Sequence, residues 1–235
     1  MDGGSYDPGE MGHLKKVPVR SRSLIGAWRE LPRLQRMSIA ALAALLLLAQ
    51  IDPPYPETAF LHHLPTLALL VAAPFLLRRW PMSGAAVAGV AAFLALHTIG
   101  GRWTYTEVPY DGAAQALFGT SISDVFGFTR NHYDRLVHFA YGLLIVLPVG
   151  EALERHLRVS PRLARYIAFE SVLAAGALYE IFEWALTLAA AGATADAYNG
   201  QQGDIWDAQK DMALAALGAA LMLSAMWWRR RRHGG

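Results

Sequence analysis

Residues 134–154, with the sequence DRLVHFAYGLLIVLPVGEALE, form an apolar run that is bounded by charged residues at both ends. Between Arg135 and Glu151 the run contains no Asp, Glu, Lys or Arg. An α-helix needs about 17 to 25 mostly apolar residues to cross the roughly 30 Å hydrocarbon core of a bilayer. The run therefore predicts a membrane-spanning helix over residues 136–153.

Five other segments are comparably apolar, and they cover residues 34–51, 60–77, 82–100, 163–191 and 211–228. The first of them lacks a small-residue cleavage site, so we expect it to be retained as a span and not removed as a signal peptide. The sequence thus predicts an all-α fold, a polytopic transmembrane helix bundle of about six spans.

The composition of the 235 residues agrees with a membrane protein, because 54% are hydrophobic and 17% are charged. A typical soluble domain is about 45–50% apolar and about 25% charged. The chain contains no cysteine, which excludes a disulfide framework and thiolate chemistry. The net charge of +2 is small and the basic residues adjoin the apolar runs, so we expect no nucleic-acid partner.

The distribution of basic residues predicts the orientation in the membrane. If the N-terminus is cytoplasmic, all but four of the 21 Lys and Arg residues fall on the cytoplasmic side; the four are Arg102, Arg130, Arg135 and Lys210. The positive-inside rule therefore places both termini in the cytoplasm. His62 and His63 begin the second span on the outer side, where we expect interfacial positions.

Three further segments complete the predicted organisation. Residues 1–33 form a basic cytoplasmic tail without regular structure, and residues 229–235 form a second basic tail. Within the transmembrane domain, which covers residues 34–228, residues 101–133 form a loop that caps the bundle on the outer side. Its apolar stretch from Ala113 to Phe128 is broken by glycines, so we expect an interfacial or re-entrant piece and not a span.

Ionisable side chains gather near the outer ends of the predicted spans. His97 closes the third span, while Asp134 and His138 open the fourth at an i, i+4 spacing that places both on one helix face. Ionisable groups within a span are costly and usually face the bundle interior or a cavity. Simpler roles stay open, because His97 also fits a hydrogen-bonded packing position and Asp134–Arg135 also fits a surface ion pair.

The fifth and sixth spans add carboxylates at a similar depth. Glu180 and Glu183 share a helix face in the outer half of the fifth span, where neither helix capping nor snorkelling accounts for them. Asp207 and Asp211 begin the sixth span. Asp204 and Asp207 also fit a helix cap, with Asp204 at the N-cap and Asp207 three residues later.

These groups together predict a divalent metal site. Carboxylates favour hard ions such as Mg²⁺, Ca²⁺ or Mn²⁺, and imidazoles extend the choice to Zn²⁺ or Fe²⁺. Facing helices in bundle cores build carboxylate-bridged metal sites from similarly spaced residues. The sequence contains no His-Glu-x-x-His motif and no nucleophile elbow, so neither of those enzyme classes is indicated.

Four motifs resemble the YjdF-type bacterial inner-membrane proteins, a family of unknown function: WTYTEVP (103–109), GFTRNHYDRLVHF (127–139), ALYEIFEW (177–184) and GDIWDAQKDM (203–212). The likeness covers about residues 37–228. It implies a multi-pass protein of the bacterial inner membrane.

A looser likeness connects the chain to VanZ-like membrane proteins, a family linked to glycopeptide antibiotic resistance. The segment Asp134–Phe139 is similar to their Asp-Lys-x-x-His-Phe motif, with Arg135 in place of Lys. Glu183 stands where that family has Gln, and Asp211 where it has Asn. Both departures add a carboxylate, which favours cation binding over a direct role in resistance.

The leading hypothesis is a divalent-metal-dependent enzyme that acts on a lipid or lipid-linked substrate at the outer leaflet, with membrane lipids as its partners. The expected roles are metal ligation by His97, Asp134, His138 and Asp211, catalysis by Glu180, Glu183 and Asp207, and substrate binding by Tyr105, Arg130 and Trp206. Two alternatives stay open: an ion- or proton-coupled small transporter, and a structural or assembly subunit. The sequence identifies no protein partner.

Overall fold

The computed structural model describes residues 23–189 and 202–233. Within these two stretches the regular secondary structure consists of nine α-helices: α1 Leu24–Glu30, α2 Arg33–Ala49, α3 Pro56–Arg79, α4 Gly84–Arg102, α5 Tyr110–Phe118, α6 Ile122–Phe126, α7 Tyr133–His156, α8 Pro161–Ala189 and α9 Asp207–His233. The all-α prediction is confirmed. The predictions made for residues 1–22, 190–201 and 234–235 lie outside the described residues.

Five of these helices, α3, α4, α7, α8 and α9, are long and apolar enough to cross a membrane. They cover five of the six predicted spans, and the chain is a multi-pass membrane protein. Helix α2 covers the remaining predicted span with 17 residues, or about 26 Å at 1.5 Å per residue. That length is at the lower limit for crossing the hydrocarbon core, so the first predicted span, residues 34–51, stays a prediction.

Helix α1 lies in the segment that the sequence predicted to be a tail without regular structure. Ser23 caps it by accepting a hydrogen bond from the Gly26 amide, at 3.1 Å from the side-chain oxygen. Leu31, directly after the helix, is buried against Ile39 and Val87, with Trp28 packed beside them. These apolar contacts stabilise a short helix that charge and composition alone do not predict.

Helix α7 lies at the centre of the bundle, where it packs against α4, α8 and α9. The closest approach joins α7 and α9, because Gly142 and Gly218 lack side chains at the crossing. A Cβ atom at Gly142 would lie 1.8 Å from the Ala215 carbonyl oxygen, and one at Gly218 would lie 2.2 Å from the Phe139 carbonyl oxygen. Small residues commonly allow such backbone contact between membrane helices.

An apolar layer continues this contact away from the ionisable residues. Val146 on α7, Ala168 and Val172 on α8 and Ala219 on α9 are each at most 1% exposed and form one cluster. Three of the five long helices are therefore joined by close packing through the half of the bundle that follows Gly142 along α7.

The predicted interfacial stretch forms two short helices, α5 and α6, which are joined by a polar clamp. The Asp111 carboxylate accepts hydrogen bonds from the Ser123 amide at 2.9 Å and the Ser123 hydroxyl at 2.5 Å. The hydroxyl hydrogen bond lowers the pKa of Asp111. Apolar side chains remain exposed on this pair of helices, namely Leu117, Phe118, Val125 and Phe126. Their position at the bilayer interface stays a prediction.

A second polar clamp joins the start of α4 to α7. The Glu151 carboxylate accepts hydrogen bonds from the Ser83 amide and the Ser83 hydroxyl, both at 2.5 Å, and lies 3.2 Å from Arg155. Ser83 is also the N-cap of α4.

We expect Glu151→Ala to lower the free energy of unfolding by about 1.5–3 kcal/mol, because the substitution removes hydrogen bonds to a charged acceptor. Thermal denaturation of the detergent-purified protein measures the change. Glu30→Ala is the matched control, since Glu30 is exposed on α1. Equal melting temperatures for the two variants would contradict a stabilising role for the clamp.

Candidate metal centre

Three predicted ligands converge where the first two turns of α7 and of α9 meet. Asp134, His138 and Asp211 each offer one ligand atom, and these atoms all lie within 4.8 Å of one another. His138 Nε2 lies 3.6 Å from Asp134 Oδ1, one helical turn earlier on α7. The i, i+4 spacing on α7 and the close crossing with α9 together position this group, which we call the Asp–His–Asp triad.

The burial of the triad makes it chemically unusual. His138 is 8% exposed and Asp211 is 1% exposed, and Asp211 Oδ1 has no hydrogen-bond partner among the described residues. A buried carboxylate oxygen without a donor costs about 1–3 kcal/mol, and more when it is charged. A cation in contact with Asp211 Oδ1 removes that cost.

The triad fits a metal ion in its donor types and its dimensions. Imidazole nitrogen and carboxylate oxygen bind Zn²⁺ at about 2.0–2.2 Å in tetrahedral geometry, so two ligand atoms of one ion lie about 3.4 Å apart. His138 Nε2 and Asp134 Oδ1 are 3.6 Å apart, which is close to this spacing, and the Asp211 ligand atom lies within 4.8 Å of both. Three protein ligands leave positions on the ion open, as in catalytic metal sites.

Helix α8 carries the predicted glutamate pair, Glu180 and Glu183, and brings Glu180 next to the triad. Glu180 Oε1 lies 3.5 Å from His138 Nε2, and the Glu180 side chain is 10% exposed. Glu183, one turn later on α8, accepts a hydrogen bond from Tyr179 and experiences the charges of Asp134 and Glu180. The contact with His138 on α7 turns Glu180 toward the bundle interior, while the inward position of Glu183 stays a prediction.

Asp207 lies beside the triad but is engaged by arginine. Arg130 approaches Asp207 Oδ1 to 2.7 Å and Arg135 approaches it to 3.3 Å, and Asp207 is 4% exposed. Its carboxylate is thus an ion-pair partner that holds α9 to the loop before α7 and to α7 itself. The predicted catalytic role for Asp207 stays untested, and its geometry favours positioning.

Asp204 extends this ion-pair network outward. It accepts hydrogen bonds from Lys210 at 2.6 Å, from Arg135 and from the Trp206 amide. The hydrogen bond from Lys210 is the main reason that the pKa of Asp204 is held well below its usual range. Helix α9 begins at Asp207, and Asp204 makes a cap-like contact in the turn before it, because its Oδ1 accepts a hydrogen bond from the Trp206 amide at 3.1 Å.

His97 lies outside the triad and is fully engaged by its neighbours. Its Nε2 donates a hydrogen bond to the His62 carbonyl oxygen at 2.8 Å, and its Nδ1 accepts one from the Tyr105 hydroxyl. Both ring nitrogens are therefore used, which favours the packing role over metal ligation.

Tyr105 reaches His97 through an unusual chain reversal. Thr104 and Tyr105 have positive φ angles of 52° and 60°, and the ring turns back onto α4. A Cβ atom at Gly100 would lie 2.6 Å from that ring, so only glycine leaves room for it. Strained backbone of this kind costs about 1–3 kcal/mol for each residue and often occurs at functional sites.

His62 and His63 are buried, at 3% and 4% exposed, although the sequence predicted interfacial positions. His63 Nε2 donates to the Thr98 carbonyl oxygen at 2.9 Å, and Gln50 donates to His63 Nδ1 at 2.6 Å. Gly101 makes room for them, because a Cβ atom there would lie 2.6 Å from His62 Cβ. The adjacent glycines at positions 100 and 101 were the sequence signal for this close packing.

A cavity of about 380 Å³ lies between the His97–Tyr105 pair and the Asp134–His138 pair. Its wall is mostly apolar and aromatic, and it includes Phe93, His97, Tyr105, Asp134, His138 and Tyr179. Its volume lies within the roughly 300–1,000 Å³ that is typical of small-molecule sites. Asp134 and His138 of the triad thus border this space, which is large enough for an apolar ligand with a polar group at one end.

The three predicted substrate-binding residues occupy different environments. Tyr105 lines the cavity, whereas the Arg130 side chain is 11% exposed and lies against Asp207. Trp206 is 58% exposed beside Ile205, which is 84% exposed, and it lies on the outside of the described structure. Of the three predicted substrate-binding residues, Tyr105 alone lines the cavity.

Residues 34–232 match the family model described as "Predicted membrane protein (DUF2238)". The chain belongs to this family. The matched part of the DUF2238 chain contains all ten predicted site residues, and the match confirms the predicted YjdF-type family.

The DUF2238 chain is also similar to "Inner membrane protein YjdF" of Escherichia coli strain K12. The two sequences are 36% identical over 143 residues, which is 60% of this chain and 64% of the E. coli protein. The match thus spans less than two thirds of that relative. No solved structure gives a significant match, and the likeness to VanZ-like proteins stays a prediction.

Proposed function

We propose that this DUF2238 protein is a divalent-metal-dependent enzyme that acts on a lipid or lipid-linked substrate at the outer leaflet of the bacterial inner membrane, with both termini in the cytoplasm. The observation that carries the proposal is the Asp–His–Asp triad at the wall of the apolar cavity. Carboxylate and imidazole ligands suit Zn²⁺, Mn²⁺ or Fe²⁺.

Asp134, His138 and Asp211 would hold the ion, which would supply Lewis acidity toward a phosphoryl or acyl oxygen. The chain supplies the rest of the chemistry. The aromatic walls of the cavity hold an apolar chain, and the Tyr105 hydroxyl lies where it can orient a polar group. Glu180 and Glu183 are the carboxylates available to accept a proton or to contact the ion.

An enzyme accounts for the described residues better than an ion-coupled carrier does. A carrier needs polar groups that continue through the bundle, and buried acids in transporters lie near the midplane. Beyond Gly142, the contact between α7, α8 and α9 is made by Val146, Ala168, Val172 and Ala219, which are apolar. The acids of the candidate centre lie at the other end of these helices.

We expect the full-length protein, purified without chelator and supplied with Mn²⁺, to retain metal that Asp211→Asn loses. Asn keeps the size of the side chain but removes the charge that a cation requires. Asp124→Asn is the matched control, because Asp124 is an exposed aspartate on α6. Metal content by mass spectrometry measures the effect, and a wild-type protein without bound metal would overturn the proposal.

The enzymatic part of the proposal has its own measurement. Wild-type protein in vesicles of bacterial lipid extract with Mn²⁺ should release inorganic phosphate or free fatty acid, and Asp211→Asn should release at least tenfold less. Which product appears identifies the bond that is broken. Metal binding without any lipid product in this assay would assign the ion a structural role and contradict an enzyme acting on these lipids.

A further inference from the structure

We infer that the cleft between the start of α8 and the end of α9 binds an anionic phospholipid, whose phosphate contacts Arg165 and Arg231 and whose acyl chain lies along the apolar floor of the cleft. The site is at the opposite end of these two helices from the candidate metal centre. The inference goes beyond the proposed function and does not depend on it.

The shape of the cleft suits the hydrocarbon part of a lipid. It has a volume of about 400 Å³ and is lined by residues of both helices: Arg165, Tyr166, Phe169, Leu223, Ser224 and Trp227. Its floor is firm, because Phe169 and Leu223 pack against the apolar cluster that joins α7, α8 and α9. The cleft therefore combines an anchored apolar floor with polar groups at its rim.

Positive charge is unopposed in the lining of the cleft. Arg165 is part of the lining, and none of the six lining residues is acidic. Among the described residues, Arg165 has no ion pair with an aspartate or a glutamate. Basic pockets between transmembrane helices bind anionic headgroups at the cytoplasmic surface of a membrane. The free guanidinium of Arg165 is thus available to a lipid phosphate.

A second guanidinium is held next to the cleft by an aromatic contact. Arg231 Cζ lies over the Trp227 ring at 3.9 Å from its centroid, and Trp227 lines the cleft. This cation–π contact holds the guanidinium against the ring and leaves its N–H donors free. Because a guanidinium binds phosphate oxygens through two parallel hydrogen bonds, a stacked arginine is preorganised for a phosphate.

The position of the cleft along the helices agrees with a headgroup site. Arg165 is in the second turn of α8 and Arg231 is in the last turn of α9. Tyr166 and Trp227 are exposed, and such aromatic residues are typical of the membrane interface. The positive-inside rule predicts that this end faces the cytoplasm, where anionic lipids make the bilayer surface negative. Charge complementarity therefore favours an anionic phospholipid over a zwitterionic one.

The test titrates the full-length protein in detergent with dioleoylphosphatidylglycerol or dioleoylphosphatidylcholine, and native mass spectrometry measures the affinity for the first bound lipid. We expect the wild type to bind the anionic lipid about tenfold more tightly. Arg165→Gln/Arg231→Gln should lose this preference, while unchanged binding of phosphatidylcholine shows that the variant is folded.

The matched control is Arg78→Gln/Arg79→Gln, which removes the same charge at the end of α3, on the same predicted side of the membrane. Arg78 and Arg79 also contact aromatic rings, those of Phe75 and Trp80, so the control differs from the test variant in its place on the bundle. We expect it to keep the wild-type preference for phosphatidylglycerol.

Three results would overturn the site. The first is equal affinity of the wild type for the two lipids. The second is an equal loss of preference in both double variants, which would assign the effect to diffuse surface charge. The third is displacement of phosphatidylglycerol by an equal concentration of inorganic phosphate, which would assign the two arginines to free phosphate.

Discussion

Gly142→Ala should abolish the native packing of α7 on α9 and lower the free energy of unfolding by more than about 4 kcal/mol. The added Cβ would lie 1.8 Å from the Ala215 carbonyl oxygen and 2.9 Å from the Ala219 amide nitrogen. Both obstacles are backbone atoms, so no change of rotamer relieves the overlap and the helices have to separate. Thermal unfolding followed by size-exclusion chromatography in detergent measures the loss.

Gly176→Ala is the control for this prediction, because it makes the same chemical change on α8. A Cβ atom at Gly176 meets no atom within 4 Å. Alanine is favoured over glycine in a helix by about 1 kcal/mol, so this variant should unfold at the same or a higher temperature. If Gly142→Ala and Gly176→Ala melted within about 2 °C of each other, the close crossing of α7 and α9 would be contradicted.

Arg135→Ala should lower the free energy of unfolding by about 3–5 kcal/mol, because it leaves buried carboxylates without part of their compensating charge. Arg135 contacts both Asp204 and Asp207, and Asp207 is 4% exposed. A second substitution, Asp207→Asn, removes the uncompensated charge and should restore part of the loss. Denaturation of the single and double variants measures this coupling.

Arg155→Ala is the control for the arginine prediction. Arg155 is 48% exposed in its pair with Glu151, and exposed pairs contribute about 0.2–1 kcal/mol. The pKa of Asp204 is held below its usual range, so its stabilising effect is present above the unfolded pKa of about 4 and is lost only as the pH falls through the lower folded value. An Arg135→Ala protein as stable as Arg155→Ala at pH 7 would contradict the network.

The sequence was sufficient to predict the long helices and which acids share a face, but not the short helix α1. Apolar length predicted five spans that the structure confirms, and spacing placed Asp134 beside His138 on α7. Spacings of three or four residues identify side chains on the same face of one helix, because they depend only on the number of residues per turn of that helix.

Contacts between helices could not be predicted in the same way. The pairing of Asp207 with Arg130 crosses from α9 to a loop 77 residues earlier, and no local pattern encodes it. The sequence predicted His97 as a metal ligand. It could not show that the Tyr105 hydroxyl occupies His97 Nδ1, because this contact forms only after the chain turns back at two positive φ angles. Burial of His62 and His63 likewise depends on a distant glycine, Gly101.

The backbone contact between α7 and α9 has a consequence for how the centre opens. Gly142 follows His138 by one helical turn, and Ala215 follows Asp211 by one turn, so the contact lies directly beneath the triad. Asp134, His138 and Asp211 are therefore carried on one rigid unit that is preorganised for a ligand. Glu180 and Glu183 are on α8, which is more widely exposed. Entry and release of a ligand should then follow movement of the part of α8 beyond Val172, which carries both glutamates, relative to a fixed α7–α9 pair.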